Sequence, residues 1–172
     1  MLPYYNFVVT VQSGVNLNNE AIFMTVREIT PEDRETFCKL CEDFYNTGAT
    51  KRGYDRESAL LTFNQVISKH ENLFGYFIVE PELAAIAGYA LITTYWCNEE
   101  AGNVIILDEI YIDPLFRHHG FGIGFLNWLD KEFRGKAVSV TLEVLSTNLA
   151  AKELYSREGF EEDGFVTMSK KL

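Results

Sequence analysis

Arg117-x-x-Gly120-x-Gly122 stands between an apolar, β-branched run, Ile105 to Ile112, and a stretch where Ile123, Leu126, Leu129 and Phe133 recur at roughly helical spacing. Asp113-Pro114 ends the apolar run, because proline has no amide to give to a ladder. The unit therefore reads as strand, glycine-rich loop, helix. Such a loop turns several backbone amides toward one point, at the positive end of a helix dipole. That is anion chemistry, and phosphate is the anion it suits best. Gly120 and Gly122 keep side chains away from a closely approaching ligand. A second polar set follows in Asn148-x-x-Ala151-x-x-x-Tyr155-x-x-x-Gly159-Phe160. Seven helical residues make nearly two turns, so Asn148 and Tyr155 are expected on one face, about 10 Å apart along the axis. Ala151 between them leaves room for a narrow ligand arm.

Both patterns resemble the GNAT N-acetyltransferase family. Its acetyl-CoA loop reads Arg/Gln-x-x-Gly-x-Gly/Ala, and a later helix carries Asn-x-x-Ala-x-x-x-Tyr followed by Gly-Phe. The resemblance covers residues 24 to 171 and is strongest from 105 to 160. It implies acetyl transfer from acetyl-CoA to an amine, with no metal. Cofactor contacts are then expected from Ile110, Tyr111 and Ile112 on the strand, from Arg117, His118, His119, Gly120, Phe121 and Gly122 in the loop, and from Asn148, Ala151 and Tyr155 on the helix. His118 and His119 fill the loop's variable positions and would meet pyrophosphate through their backbone amides. The reaction needs a neutral nitrogen, a polarised carbonyl and a proton for the leaving thiolate. A backbone amide near Ile110 to Ile112 is placed to polarise the carbonyl. Resemblance and position together nominate Tyr155 as the acid and Glu109, before Asp108, as the base acting through water. The competing view of Glu109 is an edge salt bridge or an anchor for a cationic amine. A non-catalytic acyl-CoA-binding or regulatory domain of the same fold is the alternative function.

Composition narrows the partners. The chain has 172 residues, 47% hydrophobic and 23% charged, which suits one soluble globular domain with a real core. No apolar run approaches the length that spans a bilayer, and the N-terminus lacks the features of a signal peptide. Three cysteines, Cys38, Cys41 and Cys97, make no disulfide framework and fit a reducing cytoplasm. Cys38 and Cys41 have no second pair to complete a metal site, so buried free thiols are expected. A net charge of -10 argues against nucleic acid and favours a cationic small-molecule acceptor, assisted by Tyr45, Tyr54, Tyr95 and Trp96.

The remaining pattern predicts an α/β (α+β) fold of the GNAT type, a mixed, mostly antiparallel sheet with helices on both faces. Residues 1–23 read as an N-terminal extension with a strand at Phe7–Val11 and a polar loop from Gly14 to Glu20, a candidate for packing on a second subunit of a homodimer. The domain itself is expected from 24 to 172. Met24–Ile29 alternates as a strand, and Thr30-Pro31-Glu32-Asp33 starts a helix whose apolar stripe is Phe37, Leu40, Cys41 and Phe44. A polar loop, 46–54, leads to a helix capped by Asp55; the resemblance implies that these helices and their linker wall the acceptor site. Three strands, 75–79, 84–96 and 104–112, form a meander. A helix at 122–134 crosses over to a parallel strand at 137–144. A last helix at 146–158 and a closing strand at 165–171 complete the reading.

Overall fold

The structure is a computed structural model that describes residues 9–15, 21–48, 50 and 52–172. Its centre is a six-stranded sheet in simple sequence order. The strands are β1 Val9–Val15, β2 Ala21–Glu28, β3 Leu73–Glu80, β4 Ala85–Cys97, β5 Gly102–Ile112 and β6 Ser139–Leu142. Every neighbouring pair is antiparallel except β5 and β6. That one parallel pair follows from its connection, since a helical crossover returns the chain in the direction it left. Helices α1 Arg34–Asn46 and α2 Arg56–Ile67 cover one face; α3 Phe121–Phe133 and α4 Leu149–Arg157 belong to the other. The mixed, mostly antiparallel sheet with helices on both faces is thus present.

Each face has its own core. On the α1/α2 side Phe37, Cys41, Phe63 and Val66 meet Phe77, Tyr89 and Leu91 of the sheet. Phe37 is fully buried and stacks edge-on to Tyr89 at 5.6 Å. Burial of such a ring contributes about 2–3 kcal/mol. On the α3 side Phe125, Trp128 and Leu129 pack on Tyr76, Ile78, Ile92, Ile105 and Leu107. The helix α1 begins with a single 3₁₀ turn, Pro31–Asp33, whose N-cap is Thr30, as expected, with Asp33 completing a capping box. The Asp33 carboxylate accepts from the Thr30 amide at 2.8 Å and from both terminal nitrogens of Arg27 at 2.6 and 2.8 Å. Burial opposes this charge, but the hydrogen bonds from Arg27 and Thr30 outweigh it and hold the carboxyl below its usual range.

Several expectations need correction. Of the strand expected at Phe7–Val11, residues 9–11 lie in β1, and Phe7 and Val8 fall outside the described residues. Gly14, read as loop, continues β1 instead, and β1 pairs along β2, so strand pairing crosses the expected boundary at 23/24. The last helix starts at Leu149 rather than 146, because Asn148 is its cap. The closing strand at 165–171 is not formed. Phe165 is 82% exposed, Val166 and Met168 are more so, and Thr167 touches β6's neighbour Glu143 only through a side-chain hydrogen bond. Alternation marks a segment able to pair, but only an engaged partner edge makes it a strand.

Gly88 tests the packing of β4 on β5. A Cβ built there would lie 2.0 Å from the Tyr111 carbonyl oxygen, a contact with backbone that cannot rotate away. Gly88→Ala is expected to push the strands apart and lower stability by about 1–3 kcal/mol. A chemical-denaturation midpoint equal to that of the parent would contradict this packing.

Candidate active site

The strand β5 changes partners and faces at one place. β6 pairs only with Val104 to Leu107, so the outer edge of β5 is free of it from Asp108 onward. At the same point the β4 register jumps, Leu91 pairing Glu109 and Ile92 pairing Leu107, which leaves Asp108 as a bulged residue. Ile105 and Leu107 face α3, as do Ile110 and Ile112; Glu109 and Tyr111 are turned to the α1 side. Without the extra residue, Glu109 would have followed Leu107 toward α3.

The free edge opens on a cavity of about 880 Å³. Ile110, Tyr111 and Ile112 form one wall, and Ala150, Ala151, Leu154 and Arg157 of α4 form the other. The Asp113 amide donates back to Ala87 of β4, and the Ile112 carbonyl faces out to accept from Arg117 Nε at 2.9 Å. Strand alternation then turns the Ile110 and Ile112 amides away from β4, toward the cavity. Amides so directed are able to donate to a carbonyl.

The glycine-rich loop closes one end of the cavity. Gly120 is the N-cap of α3 at φ 85, a left-handed conformation that glycine accepts at low cost. No side chain caps this helix, and its first internal bond runs from Gly124 N–H to the Gly120 carbonyl at 2.8 Å. The amides of Phe121, Gly122 and Ile123 precede that bond and have no partner within the helix. A Cβ at Gly122 would meet only Leu154 Cδ2, at 3.8 Å. The loop therefore presents amides and open space together, which fits a phosphate-bearing ligand. Arg117 serves the loop as a strut, since its guanidinium lies 5.7 Å above the Tyr111 ring while Nε holds the Ile112 carbonyl.

Of the residues nominated from sequence, Ile110, Tyr111, Ile112, Arg117, His118, Gly120, Phe121, Gly122, Asn148 and Ala151 line this one cavity. His119, Glu109 and Tyr155 do not. Asn148 and Tyr155 do not share a helix face, because Asn148 sits outside the helix as its cap, with Oδ1 accepting from the Ala151 amide at 3.3 Å. Tyr155 lies on the next strip of α4, packed into the α3-side core with its ring 5.7 Å from Phe160. Among the described residues its hydroxyl has no hydrogen-bond partner, and burial pushes its pKa up. Sequence reasoning missed Phe44, Phe116, Leu145, Thr147, Glu153 and Arg157 as lining residues. Thr47 and Gly48 of the loop after α1 also line the cavity.

Glu109 is half-buried beside this wall. Tyr45 of α1 donates to its Oε1 at 2.8 Å, and Tyr89 of β4 donates to its Oε2 at 2.7 Å. Burial pushes the Glu109 carboxyl up, the two phenols pull it partly back, and nearby Asp108 adds to the rise. The Cys41 thiol stands beside the same Tyr89 hydroxyl. No sequence signal pointed to this set, since Tyr45 and Glu109 are 64 residues apart.

Residues 34–160 match the acetyltransferase (GNAT) family. The chain belongs to that family. It is 30% identical over 155 residues to an uncharacterised N-acetyltransferase of Methanocaldococcus jannaschii, covering 86% of this chain and 67% of that protein. A possible acetyltransferase from Clostridium difficile 630 has the same fold, with a TM-score of 0.74 at 16% identity, covering 87% of this chain and 97% of that one. An aminoglycoside N-acetyltransferase in complex with CoA superposes with a TM-score of 0.69 at 16% identity, covering 86% and 94%. Membership of the GNAT family accounts for acyltransfer as the chemistry.

Cys38 and Cys41 are buried, and burial pushes the Cys41 thiol up to about 12. Alkylation is carried by the thiolate. Both thiols are therefore expected to resist iodoacetamide at pH 8 in the folded protein and to react on denaturation. Mass-spectrometric labelling of Cys41 at the rate of a free thiol in the native state would contradict its placement.

Proposed function

We propose that the chain moves an acetyl group from acetyl-CoA directly to a primary amine of a small cationic molecule. The observation that carries this is the cavity, where outward strand amides at Ile110 and Ile112 and the uncapped N-terminus of α3 face one space. Acetyl-CoA supplies an activated acetyl thioester. The amides of Phe121, Gly122 and Ile123 and the loop from Arg117 to Gly122 would hold its phosphates, and the small side chains of Ala150 and Ala151 leave room for its arm. Among the described residues those lining the cavity lie between 44 and 157, which supports assigning the cofactor site to the 24–172 unit.

The amines in question are ammonium ions at neutral pH and must lose a proton before attack. Glu109 is our candidate for taking it, through one water, because Glu109 is a neighbour of the wall rather than part of it. Its raised pKa suits a base working near neutrality. Tyr155 is our candidate for giving a proton to the leaving thiolate. Its half-buried hydroxyl stays protonated and has no partner among the described residues. The net charge of -10 favours a cationic acceptor over an anionic one.

Two expected outcomes test this reading. Gly122→Val keeps the fold, since the Cβ has space, and should abolish acetyl-CoA binding by filling that space. Calorimetry showing unchanged affinity in the folded variant would remove the loop from the site. In thiol-release assays over an amine panel, Tyr155→Phe should lower kcat on the order of 10²-fold with acetyl-CoA affinity nearly intact. Full activity would reduce Tyr155 to packing, and no turnover of any amine by a chain that binds acetyl-CoA would favour the non-catalytic alternative.

A further inference from the structure

A half-buried carboxylate usually faces a cation, and Glu109 faces tyrosines. Among the described residues no ion pair includes it. The groups around it come from three elements: Tyr45 and, behind Tyr89, Cys41 from α1; Tyr89 from β4; and exposed Asp108 on its own strand. The rings of Tyr45 and Tyr89 belong to an aromatic cluster with Phe44 and Tyr111, Phe44 standing 5.4, 6.2 and 6.3 Å from Tyr45, Tyr89 and Tyr111 in that order. A carboxylate held in such surroundings without a counterion is costly and persists only when hydrogen bonds meet its charge.

We propose that Tyr45 and Tyr89 are positioning residues, which clamp one oxygen each so that Glu109 stays ionised and oriented toward the acceptor amine. The inference rests on the reading of Glu109 as the proton acceptor and adds how the fold makes it one. Two phenolic hydrogen bonds occupy one lone-pair site on each oxygen and leave the others open to a water or an ammonium. Both phenols keep their protons, because burial and the Glu109 charge push their own ionisation up. In the step itself an ammonium N–H bond breaks and its proton passes to the bridging water. One of that water's own protons then forms an O–H bond on Glu109, and the nitrogen keeps the electron pair for attack on the acetyl carbon. The surrounding rings also favour a cation before the proton leaves. The two tyrosines differ in kind. Tyr89 is fully buried in the core, whereas Tyr45 is half-buried at the end of α1, next to Phe44 and Thr47, which line the cavity.

The test is a direct titration of Glu109 by carboxyl ¹³C shift in the whole chain, with the signal assigned by its loss in Glu109→Gln. A phenol that donates to a carboxylate favours the ionised form, so its removal must raise the titration midpoint. Tyr45→Phe and Tyr89→Phe are each expected to raise it by about one pH unit, a tenfold change in the ionisation constant. The acid limb of kcat/KM for the best amine of the panel should move by the same amount. An unmoved Glu109 midpoint in folded Tyr45→Phe overturns the proposal, even if its melting temperature falls. Tyr45→Phe decides alone should Tyr89→Phe not fold. Midpoints that move while the acid limb stays would keep the clamp and overturn Glu109 as the proton acceptor. Loss of the limb in Glu109→Gln alone, with unmoved midpoints in the tyrosine variants, would do the reverse.

Discussion

The bulge at Asp108 is the constraint on which the rest of the site depends. β-Strand side chains alternate strictly, so one inserted residue transfers everything beyond it to the opposite face. Before the bulge, Ile105 and Leu107 build the core under α3. After it, Glu109 and Tyr111 turn toward α1, while Ile110 and Ile112 take the α3 side. A single register shift thus separates a carboxylate with its tyrosines from an apolar ligand wall, although the two are adjacent in sequence.

The same place is where β6 leaves the sheet. Its pairing stops at Leu107, and α4 rather than another strand lies across from Ile110 and Ile112. Unpaired strand amides normally invite aggregation or are covered. Here they face an internal cavity and are available to a ligand carbonyl. The open edge, the uncapped start of α3 and the small residues of α4 are three unmet demands that a phosphate-bearing thioester can meet together. The GNAT family match and this local geometry point to one chemistry from independent directions.

The polar set behind the wall explains how a half-buried carboxylate is tolerated in the core of a small domain. Tyr89 is shared between Glu109 and Cys41, and Tyr45 closes the other side from α1. Because α1 also delivers Phe44 to the cavity, and the loop after it Thr47, one helix couples the carboxylate's surroundings to the ligand space.

Local features were legible in the amino-acid order. Arg117-x-x-Gly120-x-Gly122 between an apolar run and an amphipathic stretch specified strand, loop and helix, because turn chemistry and periodicity act over a few residues. The parallel pairing of β5 with β6 was legible too, because a strand–helix–strand crossover permits no other direction. Pairing and facing were decided elsewhere. Phe165 to Lys171 read as a strand that no described edge engages, and β1 extended past Gly14 because β2 was there to pair with it. Asn148 and Tyr155 kept their seven-residue spacing but lost their common face, since a cap lies outside the helix it starts. Glu109 acquired Tyr45 from 64 residues away through a bulge that no residue type announces. Sequence by itself determined which short segments could exist and where a glycine-rich loop opens a helix. Only the tertiary structure decided which side chains meet, because register and contact are properties of two segments at once.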